Sequence, residues 1–384
     1  MAEIYLDNSA STRPYPEVNK LTSRVQSEIY GNPSSLHDMG LEAEKIIREA
    51  RRQIAVVFGG RENEIIFTSG GTEANNLAIK GAAFRHRRRG SHLITSVIEH
   101  PSVLNSFRFL EKYGFEVSYL PVNSQGAVNP DDLKALIRKE TILISLMHIN
   151  NETGTIQPLG EIGRMIREIN PEALFHVDVV QSFGRIPLRL KEWQVDMAVC
   201  SAHKIHGPRG AGSLWSRKGT LLEPLLHGGG QESGLRSGTE NTAAIAGFGL
   251  AARLTAEKMR QKEEELRVLK LAFFNELQNS GIKFNLNGPA PGEGAPHIIN
   301  LSFPGLRAEV LLHSLEERGI HVSAGSACHS RHPEPSHVLK AIGLDSENLD
   351  SALRFSFSVF NDKNEIIAAA KETAEAVQEL RGII

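Results

Sequence analysis

Cysteine is nearly absent from this 384-residue chain, which has only Cys200 and Cys328. Two thiols cannot make a disulfide framework. They could pair with each other, but the surrounding composition points to a reducing cytoplasm in which both stay free. No run of about 18 apolar residues occurs, so no helix is expected to span a membrane. The amino terminus, M-A-E-I-Y-L-D, lacks a basic segment followed by an apolar one, and no signal peptide is expected. A dominant charge is missing too: the net charge is −2. Electrostatics is then not the main route to nucleic acid or to a membrane, and neither is expected as a direct partner. There is no internal repeat and no low-complexity tract. What remains is 40% hydrophobic and 23% charged residues, the balance of a soluble globular protein. The length suggests about two to three lobes.

From about residue 64 to 216 short apolar runs alternate with helical patterns. Strands are expected at 65–68, 93–97, 141–147, 174–178, 197–201 and 212–215, with helices at 74–84, 130–139 and 159–169. The strands are rich in Ile, Val, Leu and Phe with little alternation, which suits a largely parallel sheet covered on both faces. A long helical stretch, 242–279, leads into a second lobe with strands at 298–303, 320–323 and 353–359 and helices at 308–317 and 363–380. The Gly/Pro-rich residues 288–296 mark a surface loop. The basic residues 85–89 before Gly90 suggest a helix carboxyl end with its glycine cap. A nucleic-acid patch is the sharper alternative there, and the solvated helix end the preferred one.

Two of the strands end in chemistry. F-H-V-D-V-V-Q holds Asp178 and Gln181, and M-A-V-C-S-A-H-K holds Ser201, His203 and Lys204. An acid to pair with a pyridinium nitrogen and a lysine to attach an aldehyde are the two groups pyridoxal phosphate asks of a protein. A carboxylate at the end of a buried strand also demands a cationic or hydrogen-bonding partner. T-S-G-G-T-E-A-N-N, 68–76, places Gly71 and Thr72 at a helix start, where free N–H groups can hold an anion. Alone, that segment reads as an ordinary helix capped by Thr72. Cys328 lies in the small-residue run G-S-A-C-H-S, where Gly325 gives the backbone freedom and His329, Arg331 and His332 favour the thiolate. Cys200, in an apolar run, is expected to be structural. With no paired cysteine spacing, no metal site is expected around Cys328. In L-R-F-S-F-S-V, Leu353, Phe355, Phe357 and Val359 share one strand face, and Arg354, Ser356 and Ser358 the other. Arg354 is either merely solvated or the planar fork for a substrate carboxylate. His100, in V-I-E-H-P-S-V, ends another strand.

The chain resembles, nearly end to end, the cysteine desulfurases of the NifS/IscS type, within the class V aminotransferase (fold type I) superfamily. The likeness rests on Y-L-D-N-S-A-S-T, G-N-P-S-S-L-H, T-S-G-G-T-E-A-N-N, I-E-H-P-S-V, N-N-E-T-G-T-I-Q-P, H-V-D-V-V-Q, S-A-H-K-I-H-G-P-R-G, G-G-G-Q-E, R-S-G-T-E-N, G-S-A-C and L-R-F-S, in that order. It implies an α/β fold of the pyridoxal phosphate-dependent transferase type. A large cofactor-binding domain would span 15–255. A small α+β domain would comprise 1–14 and 256–384 and carry a mobile cysteine loop at about 321–335. It implies pyridoxal 5′-phosphate attached to Lys204, with Asp178 on the pyridine nitrogen, Gln181 on the ring hydroxyl and His100 stacked on the ring. Gly71, Thr72, Ser201 and His203 would hold the phosphate, and Thr239 would reach the phosphate of a neighbouring subunit in a homodimer. Asn151 and Arg354 would bind the substrate.

The reaction implied converts L-cysteine to L-alanine and leaves the sulfur on Cys328 as a persulfide, with Lys204 and His100 moving protons. A sulfur-acceptor protein, an iron–sulfur scaffold or a tRNA-thiolating enzyme, would then take it. The alternatives are a selenocysteine lyase and a catalytically silent assembly partner. Three departures from the family pattern stand out. Ser9 and Ser11 replace the commoner Ala and Thr, His329 follows the cysteine, and the segment after the last helix is short. The last suggests docking of the acceptor near the cysteine loop and not through a carboxyl-terminal tail.

Overall fold

The structure, a computed structural model, describes residues 3–257, 259–324 and 335–383. Its larger sheet has seven strands in the order Ile65–Thr68, Gly212–Ser216, Met197–Ser201, Leu174–Asp178, Thr141–Met147, His92–Ser96 and Glu116–Leu120. All neighbours run parallel except Gly212–Ser216, which is antiparallel to both strands beside it. The uninterrupted apolar runs have a simple cause. Adjacent residues of one strand feed opposite cores: Phe67, Ile94, Ile144 and Cys200 face one, and Ile66, Leu93, Leu143 and Val199 the other. Both faces are buried, so both parities are apolar. Glu116–Leu120, the strand absent from the expectations above, lies at the sheet edge and is mostly half-exposed. Its apolar signal is correspondingly weak.

The second sheet is antiparallel, in the order Ser323–Ala324, Ala352–Ser356, Ile298–Ser302 and Asn285–Leu286. Leu301 and Phe355 from this sheet pack with Leu6 and with Phe273, Leu311 and Ile366 from the helices Met259–Asn279, Ala308–Glu317 and Lys363–Ile383. The expected strand at 320–323 is two. Ile320–His321 pairs with Ile4–Tyr5, and Ser323–Ala324 joins the four-stranded second sheet. The expected stretch at 242–279 is also two helices, Thr242–Ala256 and Met259–Asn279, because Glu257 takes an extended conformation, with φ −59° and ψ 125°.

Two further expectations are corrected. Strand Ala352–Ser356 is buried at every position and has no solvated polar face. The amino-terminal segment covers it: Asn8 Nδ2 donates to Ser356 O at 2.8 Å, and Ser9 N to Ser356 Oγ at 2.8 Å. Nor is Gly90 a left-handed cap, since it has no positive φ. Its Cβ would lie 2.2 Å from Glu140 O, and this close approach is what requires glycine. The basic residues before it are bound to neighbouring turns: Arg87 donates to Tyr113 O at 2.8 Å, and Arg89 to Glu172 O.

The helices Asp38–Phe58 and Thr242–Ala256 approach closely enough that a Cβ on Gly249 would lie 2.5 Å from Ala50 Cα. Backbone cannot give way as a flexible side chain does. Gly249→Ala should therefore cost about 1–3 kcal/mol by overpacking, seen as a lower urea midpoint at unchanged slope. An unchanged midpoint would show that the helices separate freely.

Candidate active site

Parallel strands turn their carboxyl ends to one edge of the larger sheet, and ligands of such sheets bind there. Met147, Asp178 and Ser201 end three adjacent strands and line one cavity of about 430 Å³. The smaller sheet closes it from the other side with Ser323, Ala324 and Arg354, and the amino-terminal segment adds Asp7, Ser9 and Ala10.

Asp178 is buried, and neutral donors hold it: Asn75 Nδ2 at 2.8 Å from Oδ2, and Val180 N at 2.9 Å from Oδ1. Asn75 also donates to Ser102 Oγ at 2.9 Å, so the Ser102 hydroxyl is free to donate to His100 Nδ1 at 2.8 Å. The same Nδ1 accepts from Ser102 N at 3.1 Å. With Nδ1 an acceptor, the ring proton sits on Nε2. Burial pushes the His100 pKa down; Asp178 opposes this, and Lys204 and His337 add to it. The imidazole is therefore neutral at neutral pH. Asn75 and Ser102 were missed as site residues. The available signal was spacing, since Asn75 lies four residues after Gly71 on the same helix.

The helix Gly71–His86 starts at Gly70, not at Thr72, and no side chain caps it. Thr72 is the second helical residue and does not cap the helix, so the plainer alternative for this segment does not hold. The first N–H groups of that helix are left for a ligand. Close packing sets their position. A Cβ on Gly212 would lie 2.6 Å from Gly70 Cα, and one on Gly71 would lie 3.1 Å from Val180 Cγ2. Ser201 adjoins this helix start. His203 Nδ1 lies 3.4 Å from Ser11 Oγ, and its pKa is pushed down to about 4, by burial first and then by the cations Lys204, Arg209 and Arg185.

Lys204 follows Ser201 in a single 3₁₀ turn, Ala202–Lys204. Its ammonium does not escape to bulk water: Nζ donates to Ser9 O at 2.5 Å and to Ala10 O at 2.9 Å. Gln181 Nε2 donates to Ser9 O at 3.0 Å. Asn151 stands on a turn shaped by Asn150, whose Oδ1 accepts from Glu152 N and Thr153 N, both at 2.9 Å. Arg354 is 7% exposed; it donates to Asn151 O at 3.0 Å and to Asp7 Oδ1 at 2.7 Å. Its Nε is buried and has no hydrogen-bond partner among the described residues.

The cavity thus gathers Gly71, Thr72, His100, Asn151, Asp178, Gln181, Ser201, His203, Lys204 and Arg354. Thr239 is exposed and does not line it. Cys328 lies outside the described residues, and Ala324, four residues before it, lines the cavity. Cys200 is fully buried with Sγ 3.1 Å from Ser213 Oγ, and burial raises its pKa.

These residues fit pyridoxal phosphate. An uncapped helix start beside Ser201 and His203 suits a phosphate, Asp178 suits a pyridinium nitrogen, and Lys204 reaches the same cavity. The unpartnered Nε of Arg354 suits a carboxylate.

The aminotransferase class-V family matches the chain over residues 4–368. A cysteine desulfurase IscS of Dictyoglomus turgidum is 45% identical over 381 residues, 99% of this chain and 96% of the relative. A putative cysteine desulfurase IscS 1 of Bacillus subtilis is 42% identical over 99% of this chain and all of its own length (100%). Among solved structures, a NifS-like protein superposes with a TM-score of 0.92 at 37% identity, covering 98% of this chain and 100% of the other. SspA in complex with cysteine superposes with a TM-score of 0.82 at 37% identity, covering 94% and 100%. The chain belongs to the aminotransferase class-V family, in its IscS/NifS cysteine desulfurase branch, and so to the pyridoxal phosphate-dependent enzymes.

Proposed function

We propose that the protein is a cysteine desulfurase that converts L-cysteine to L-alanine and leaves the sulfur on Cys328 as a persulfide. The observation that carries this is the meeting of Lys204, Asp178, His100 and Arg354 on one cavity, in a chain 45% identical to a cysteine desulfurase. Bound pyridoxal phosphate supplies an electron sink for the charge left when the substrate Cα loses its proton.

The chain's own residues do the rest. Gly71, Thr72, Ser201 and His203 would hold the phosphate, the neutral His203 donating a hydrogen bond without adding charge. Asp178 would keep the ring nitrogen protonated, and Gln181 would bond the ring hydroxyl. Arg354, with Asn151 beside it, takes the substrate carboxylate. Lys204 would hold the cofactor, and its amine would take the Cα proton and later return one to Cα. His100 would stack on the ring, with its Nε2 placed to exchange a proton with the substrate thiol. Cys328, as thiolate, forms a bond to the substrate sulfur as the Cβ–S bond breaks. The Cβ electron pair takes up a proton and ends as the methyl of alanine.

A homodimer belongs to this reading, with Thr239 reaching the phosphate of the neighbouring subunit. The exposure of Thr239 supports it, as do the exposed apolar side chains Tyr30, Leu36 and Met39. The two cores support a large domain at 15–255 and a small one formed by 1–14 and 256–384. No helix among the described residues is long and apolar enough to cross a membrane, which accords with a cytoplasmic enzyme. The sulfur then passes to an acceptor protein, for iron–sulfur cluster assembly or tRNA thiolation.

Cys328→Ser is the direct test. The variant should bind cofactor and L-cysteine with the parent's spectrum, because neither event uses the thiol, while alanine formation falls at least 100-fold. Near-normal alanine production would refute sulfur transfer to Cys328.

Arg354→Lys keeps the charge and loses the fork. It should lower kcat/KM for L-cysteine about 10- to 100-fold, the equivalent of one charge-assisted hydrogen bond, with most of the loss in KM. Parental kcat/KM would mean that another residue holds the carboxylate.

A further inference from the structure

Arg185 is a cation buried as deeply as Arg354 and has no part in the chemistry above. It is 7% exposed, and its electrostatic neighbours among the described residues include Tyr15 but no carboxylate. A buried charge without a counter-ion is costly, so what it bonds to is informative. Nη2 donates to the main-chain oxygen of Lys204 at 2.8 Å and to that of Asn8 at 3.4 Å, and Nη1 donates to Gln181 Oε1 at 3.3 Å. Every acceptor belongs to the cofactor lysine's turn, to Gln181 or to the amino-terminal segment that receives the Lys204 ammonium. On its other side Arg185 meets a cavity of about 20 Å³, room for one water, lined also by Tyr15, His206, Thr255 and Lys262.

The contact with Gln181 decides which way an amide points. Oε1 faces the guanidinium, and Nε2 donates to Ser9 O at 3.0 Å. A flipped amide would set N–H against N–H at Arg185 and oxygen against oxygen at Ser9. The observed orientation leaves the second Nε2 hydrogen for the cavity that Gln181 lines.

We propose that Arg185 is a positioning residue that fixes the Gln181 amide, so that Gln181 can only donate to the ring hydroxyl oxygen of the cofactor. This rests on the reading that Gln181 bonds that oxygen. An N–H donor there favours the deprotonated oxygen and weakens its hold on the neighbouring imine proton. Losing the donor therefore raises the pH at which that proton leaves. The other titratable groups facing Arg185 and Gln181 are Tyr15, His203, Lys204, His206, Lys262 and His297, with Asp178 across the cavity.

The test is a pH titration of the visible absorbance of the cofactor-loaded protein, which needs no turnover. Arg185→Lys keeps the charge but cannot reach three acceptors at once. It should raise the midpoint by about one pH unit, a tenfold change in the proton equilibrium. Gln181→Ala should raise it similarly, and adding Arg185→Lys to Gln181→Ala should raise it no further. A merely structural role would give the same shift in both backgrounds, and that result, or no shift from Arg185→Lys, overturns the proposal. If Gln181→Ala leaves the midpoint unmoved, the reading of Gln181 on the ring oxygen fails and the proposal falls with it. If Gln181→Ala moves the midpoint and Arg185→Lys does not, the proposal alone fails. Should Arg185→Lys not accumulate as folded protein, Arg185→Gln, with a single NH2 group as donor and no charge, carries the same comparison in the same two backgrounds.

Discussion

A carboxylate at the end of a buried strand is the constraint on which the rest of this site depends. Asp178 closes the strand Leu174–Asp178 at 5% exposure, and among the described residues its two oxygens accept from the neutral donors Asn75 and the Val180 amide. Neutral donors satisfy lone pairs but leave the charge uncompensated, which is tolerable only where a cation completes the pair. A protonated ring nitrogen is such a cation. The bond to Asn75 also ties the helix Gly71–His86 to this strand, and through Ser102 it fixes the tautomer of His100. One buried anion therefore links an uncapped helix start and the His100 imidazole to the same cavity edge.

The charges around the cavity agree with the ligand. Burial holds two carboxyls toward the neutral form: Glu152, which lines the cavity, and Glu99, next in sequence to His100 and pushed up to about 8. Burial keeps His100 and His203 neutral as well. Lys204 and Arg354 line the cavity together with Asp178 and Asp7, a lining that suits a ligand carrying a phosphate and a carboxylate. The amino-terminal segment matters here out of proportion to its length. Its main-chain oxygens receive Lys204, Gln181 and Arg185, and its Asp7 pairs with Arg354.

Much of this was legible in the sequence, for a physical reason. Strands buried on both faces must be apolar at every position, so the inner strands of the large sheet declare themselves. The polar residues that end them, Asp178, Ser201 and Lys204, then stand out against that background. The edge strand Glu116–Leu120 and the two-residue strand Ile4–Tyr5 bury too little to leave a pattern. Arg354 looked like one polar face of an ordinary strand. Its burial depends on residues more than three hundred positions away, which no local spacing reveals. Arg185 and Asn75 escaped notice because each acts through a contact with another side chain, and such contacts exist only after folding. Cys328 was named from the run of small residues around it.

Which atom carries the sulfur is the centre of the account, and mass spectrometry reads it directly. The protein, loaded with pyridoxal phosphate and given limiting L-cysteine without a reductant, is digested and its two cysteine-containing peptides are weighed. The account predicts that the peptide with Cys328 gains the mass of one sulfur atom in step with the alanine formed, and that the peptide with the buried Cys200 gains nothing. Alanine formed without added sulfur on Cys328, or sulfur found on Cys200, would contradict it.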